Sequence, residues 1–199
     1  MLAQATTTAR EKLVQAGTDL FRRRGYTATT VDEICQQGGV TKGAFFHHFA
    51  SKEALAVECL AAWDSMVAGL ETRAPFQATD DPVKKLSGYL DFFIGLFANP
   101  RALRSCLAGT MVQEVADTHP KLRDAAQACF VSGQERLEKL LAAAAKARGR
   151  RLNAASLARL WITAMQGSLI LYKASQDDSV ITESLTHVKH YILERLAGR

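Results

Sequence analysis

The chain has 199 residues, 48% hydrophobic and 23% charged, which suits one ordinary domain or two small ones and argues against disorder as the default. Its 25 Lys and Arg exceed its 20 Asp and Glu, a surplus that fits a polyanionic partner without specifying one, and the first 55 residues hold no special share of it. The longest uncharged run, Leu160 to Tyr172, falls short of the roughly 18 residues a membrane span needs, and the opening MLAQATTTAR lacks the basic-then-apolar order of a secretory signal, so the expectation is a cytoplasmic chain with no membrane partner.

Helical periodicity runs through the whole sequence. Leu13, Ala16, Gly17, Leu20 and Phe21 form the apolar stripe of a first helix from Thr8 to Arg24, which Gly25 stops. Thr30 caps a second helix, with Glu33 three residues on completing a capping box, and Gly38 and Gly39 end it after about two turns. Thr41 caps a short third helix that ends near Phe49 and Ala50. Ser51 caps a fourth, whose stripe is Leu55, Cys59, Ala62 and Met66. A short helix, a glycine-containing turn and a second short helix, supported by a longer one before them, make a helix-turn-helix.

Residues 74–82 read as a loop. A fifth helix follows with Leu86, Leu90, Phe93 and Phe97 inward, closed by Pro100; a sixth contains Cys106; a long seventh runs from Lys121 through Ala147. The basic stretch KARGRR then leads to an eighth helix capped by Asn153, running from Ala154 to about Asp177. Ile181, Leu185, Val188 and Ile192 mark a ninth. No strand pattern competes, so the fold class is all-α, with about nine helices.

The segments Gly25-Tyr26-Thr27-Ala28-Thr29-Thr30-Val31-Asp32-Glu33-Ile34, Gly38-Gly39-Val40-Thr41-Lys42-Gly43-Ala44-Phe45-Phe46-His47-His48-Phe49 and Ser51-Lys52-Glu53 resemble the amino-terminal domain of TetR-family transcriptional regulators. The resemblance implies a DNA-reading domain over residues 1–55 and a helical effector-binding and dimerisation domain over 56–199. In it, Gly43 and Ala44 permit close approach to base edges, and Lys42 reaches a guanine acceptor or a phosphate. Thr30 and Thr41 at helix starts bind phosphate oxygens, and His47 and Lys52 add backbone contacts. Phe46 departs from the family's usual Tyr and loses that hydroxyl's phosphate contact.

The family's regulators are dimers, and here the nearly all-round apolar character of the eighth helix places Trp161, with Ile181, Leu185, Val188 and Ile192, in a seam between two copies on a palindromic operator, with filling of the protomer's own core as the competing explanation. Phe93, Phe97, Cys106, Met111, Phe130, Trp161, Met165 and Tyr172 offer aromatic and soft surface for a small apolar effector, with core packing as the competing explanation. The surroundings of Cys106, with Lys173, are similar to a branch that includes electrophile-sensing repressors of the NemR type; there the Cys is a thiol sensor and a nearby ammonium favours its thiolate. The four cysteines form no C-x-x-C pair and are expected as free thiols. His187 and His190 have no third ligand nearby, and no catalytic or phosphate-loop motif is present, so neither metal, cofactor nor enzyme activity is expected.

Overall fold

A computed structural model of the chain describes residues 7–99 and 105–198, all of them helical or in short connections. The helices are α1 Ala9–Arg24, α2 Val31–Gly38, α3 Lys42–His48, α4 Lys52–Thr72, α5 Pro82–Ala98, α6 Leu107–Val115, α7 Pro120–Ala147, α8 Ala154–Ser175 and α9 Ser179–Ala197. They divide into two compact units: Met1–Ser65 with Leu107–Cys129, and Met66–Cys106 with Phe130–Arg199.

In the first unit α1 packs on α2, α3 and α6, and Leu13, Phe21, Ile34, Phe45, Leu55 and Leu60 are fully buried. Its helices start where side chains satisfy the otherwise unpaired first-turn N–H groups. Thr8 and Thr30 each accept from the backbone three residues on and receive Glu11 or Glu33 in return; Thr41 and Ser51 accept from Ala44 and Ala54. Gly17 lets α4 approach α1, because a Cβ there would lie 3.0 Å from the Cys59 Sγ and 3.1 Å from Leu55. Burial raises the Cys59 thiol to about 12, which makes it an inert core group.

In the second unit α9 packs against α8 and α5, and Leu86, Leu90, Leu137, Trp161, Ile181, Leu185 and Ile192 fill the centre. The expected loop at residues 74–82 contains a 3-10 turn, Pro75–Ala78, that drives Phe76 against Tyr89 and Phe92 at 5.5 and 5.8 Å. Among the described residues, α8 is the one helix long and apolar enough to cross a membrane. The window that qualifies is longer than the uncharged run in the sequence. Trp161, Leu169 and Tyr172 on it are buried in this unit's core, which gives their apolarity a packing role.

Two sequence boundaries shift. Cys106 precedes α6 instead of lying within it, because the buried register that defines this helix is Leu107, Ala108, Met111 and Val115. The eighth helix stops at Ser175, where Gln176 turns left-handed at φ +57°. Pro100, expected to close α5, lies outside the described residues.

Candidate nucleic-acid interface

The two-helix reading element is set by its glycines and its caps. Gly39 adopts a left-handed conformation (φ +61°), its N–H and that of Val40 close the end of α2, and Thr41 opens α3 two residues later. One side of α3 is inward: Phe45 is fully buried, and Phe49 lies 5.9 Å from it with the Arg10 guanidinium above. The opposite side presents Thr41, Lys42, Gly43, Phe46, His47 and His48 to solvent, with Ala44 half-exposed. Phe46 is 53% exposed and leans edge-on against Phe45, so a large apolar ring stands on the surface.

Gly43 is the most telling of these residues. A Cβ placed there would meet only the Thr41 Oγ1, at an ordinary 3.8 Å, and its backbone has no positive φ. Among the described residues, nothing requires glycine there. Yet glycine in a helix costs roughly 0.5–1 kcal/mol relative to alanine. Space beside Gly43 is open on the solvent side of α3.

Two residues expected to contact phosphate, Thr30 and Lys52, have partners within the chain. The Thr30 hydroxyl donates to Glu33 and accepts from the Glu33 N–H, and the Thr30 N–H donates to the same carboxylate at 2.9 Å. With Asp32 and Glu33 in the first turn, the start of α2 is already supplied with negative charge. Lys52 is turned inward. Its Nζ donates to the Tyr26 and Thr29 carbonyls at 2.9 and 2.8 Å and lies 4.2 Å from the centre of the Tyr26 ring. Burial lowers its pKa, against the opposing pull of Glu114. An ammonium held by two carbonyls and a ring face is a brace for the α1–α2 turn.

The same turn is gripped from α6. The Glu114 carboxylate accepts from the Tyr26 N–H at 2.6 Å and the Thr27 N–H at 2.8 Å, and His119 meets the Tyr26 ring edge-on at 5.0 Å. Gly25, at φ +88°, makes this possible: a Cβ there would stand 2.5 Å from a Glu114 oxygen. Burial raises the Glu114 pKa, but the hydrogen bonds from Thr27 and Tyr26, with Lys52, outweigh it and hold the carboxyl below its ordinary value. Sequence reasoning missed this residue, since nothing local marks a pairing 88 positions apart. It also missed Asp32, whose Oδ1 lies 2.9 Å from the Lys42 Nζ and bridges α2 to α3. That hydrogen bond raises the Lys42 pKa.

This architecture has known counterparts. Residues 13–59 match the family model described as bacterial regulatory proteins, tetR family, and residues 82–188, more than half the chain, match the tetracyclin repressor-like C-terminal domain. The chain belongs to the TetR family. This TetR-family chain is 26% identical to the HTH-type transcriptional repressor DhaR of Mycobacterium sp. (strain GP1), over 95% of its own length and 94% of that protein's. It is similar to a TetR transcriptional regulator from Chloroflexus aurantiacus (TM-score 0.80, 26% identity, 94% of each chain). The reduced form of Escherichia coli NemR shares the fold (TM-score 0.75, 23% identity, 92% of this chain and 96% of that one). As a member of this family, the chain is a DNA-binding transcriptional regulator.

The residues expected around an effector are distributed between the units of this TetR-family regulator. Phe93, Phe97, Trp161 and Tyr172 are buried in the second unit's core, with Met165 and Cys106 half-buried against it. Phe130 is half-exposed on α7, and Met111 belongs to the first unit, fully buried on α6. Lys173 is exposed near the end of α8. Of the residues expected in the seam, Trp161, Ile181, Leu185 and Ile192 are each at most 1% exposed and pack into their own protomer's core, the competing explanation, while Val188 is half-buried. The apolar residues these two helices leave open are Leu160, Ile170 and Leu171 on α8 and Tyr191 on α9.

Proposed function

We propose that the chain works as a homodimer whose two α3 helices read the halves of a palindromic double-stranded DNA operator, repressing transcription until a small apolar or aromatic effector releases it. The operator lies in the bacterial cytoplasm, and the chain acts there. Residues 1–55 carry the reading and residues 56–199 the effector binding and pairing. The observation that carries the DNA-reading role is Gly43, a helical glycine with no intramolecular reason, set among exposed Thr41, Lys42, Phe46 and His47. Two such helices about 34–36 Å apart on a dyad would enter successive major grooves.

Support for pairing comes from Leu160, Gly167 and Leu171, which share one face of α8. Leu171 is 58% exposed, and a Cβ on Gly167 would meet nothing within 4 Å, leaving room for a partner helix to approach. Repression is the role named for DhaR, which aligns over nearly the full length. The aromatic cluster of α5, from Tyr89 to Phe97, supplies the surface an apolar effector would exploit.

Footprinting of the full-length protein on its own upstream DNA, repeated with apolar aromatic compounds, tests this reading. The expected result is a protected inverted repeat that one class of compound unmasks. Equal affinity for operator and scrambled duplex at moderate salt overturns it.

A further inference from the structure

We infer that Asp32 is a specificity-determining residue, and that the Asp32–Lys42 pair reads one G·C base pair as a unit: Lys42 donates to guanine while Asp32 accepts from the N4 amino group of the paired cytosine. The inference rests on the DNA-reading role of α3 and goes beyond it by naming the second residue and the base pair.

The fold does not need the pair. Both side chains are largely exposed, 58% for Lys42 and 71% for Asp32, and an exposed ion pair contributes little to stability. What it fixes is a spacing. The Lys42 Nζ, a pure donor, sits 2.9 Å from the Asp32 Oδ1, a pure acceptor. In the major groove a G·C pair presents the complement, guanine O6 beside the cytosine N4 amino group. Those two atoms are themselves hydrogen-bonded and so lie about 2.9 Å apart. Donor meets acceptor and acceptor meets donor at matching separation. An ammonium has three protons, so after one serves Asp32 two remain for guanine O6 and N7. A T·A pair offers O4 and N6 in the same order but no second acceptor on the thymine, and so ranks below G·C.

The charge of the surrounding unit points the same way. The first unit contains nine Lys and Arg side chains against ten Asp and Glu, so the whole positive surplus of the chain lies in the second unit. Three cations around the reading helices are paired with acids: Arg24 with Glu33 at 2.8 Å, Arg10 with Glu58 at 3.0 Å, and Lys42 with Asp32. Affinity for DNA in general scales with the number of phosphates that free cations neutralise. A lysine already joined to a carboxylate gains little from a phosphate, which would bring Asp32 against like charge. It gains from a base pair that accommodates both partners.

The test uses the full-length protein and a duplex selected by it from randomised DNA. Affinities for that operator, for each single-pair variant and for a scrambled duplex are measured across a salt series for wild type, Asp32→Ala, Lys42→Ala and the double variant. Wild type is expected to require G·C at one position in each half-site. Asp32→Ala should relax that position by about tenfold and bind scrambled DNA more tightly, with a salt dependence steeper by about one phosphate contact. In the Lys42→Ala background, Asp32→Ala should leave discrimination at that position unchanged. The melting temperature serves as the control for folding. Unaltered discrimination at every position in Asp32→Ala, or an equal loss on all duplexes, overturns the pair as a reader. If wild type selects no sequence at all, the DNA-reading role has failed, and this inference with it.

Discussion

Replacing Gly43 with alanine separates a residue kept for the fold from one kept for a partner. Gly43 is the second residue of α3, and the added methyl would find only the Thr41 Oγ1 at 3.8 Å, an ordinary contact with no clash. The substitution also restricts the unfolded chain, so the protein should become more stable by about 0.5–1 kcal/mol. For a chain of this size that raises the melting temperature by roughly 1–4 °C. Operator binding should move the opposite way, because the methyl occupies the space through which α3 approaches the bases; losing one well-made base contact costs about 1–3 kcal/mol. Thermal unfolding and operator titration on the same preparation give both numbers. If stability and affinity rise together, or affinity does not change, α3 does not come close to DNA at this residue and the case built on Gly43 fails.

The turn between α1 and α2 gives two more expectations. Glu114→Ala leaves the Tyr26 and Thr27 N–H groups to water and should cost about 1–3 kcal/mol in urea unfolding, with faster hydrogen exchange at those two amides; unchanged exchange would refute the grip. Because the Glu114 carboxyl is held below its ordinary value, its contribution is complete above the unfolded glutamate pKa of roughly 4.3 and is lost as pH falls through the lower folded value, so acid should narrow the gap between wild type and Glu114→Gln. Lys52→Ala should lower stability while leaving the salt dependence of operator binding unchanged; a slope reduced by about one would make Lys52 a phosphate contact after all. Leu171→Asp places a charge on a residue already 58% exposed, so each protomer should fold normally and sediment as a monomer; a surviving dimer would move the interface off this face of α8.

What the sequence made legible was local. Thr30 and Glu33 stand three residues apart, and that spacing alone specifies a reciprocal cap, which the structure contains. The inward stripe of α1, Leu13, Ala16, Gly17, Leu20 and Phe21, is buried as its period requires. Orientation in space was less legible. α8 is apolar nearly all round, so its period marks Trp161 and Leu171 alike as hydrophobic; only tertiary packing puts the first in the protomer's core and leaves the second outside. The capping box likewise specifies that the Thr30 hydroxyl has a partner within the chain.

Lys52 shows how the tertiary setting of a long cation goes beyond what sequence position specifies. A lysine side chain reaches several ångströms in any direction its neighbours allow, and its destination depends on where unpaired acceptors lie. Here the α1–α2 turn exposes the Tyr26 and Thr29 carbonyls beside an aromatic face, and the ammonium goes there. The same turn leaves two N–H groups pointing the other way, where the Glu114 carboxylate accepts both. Cation and anion thus satisfy opposite polar ends of one turn. On the reading proposed above, the exposed side of α3 then makes the contact and discriminates by shape and hydrogen-bond pattern.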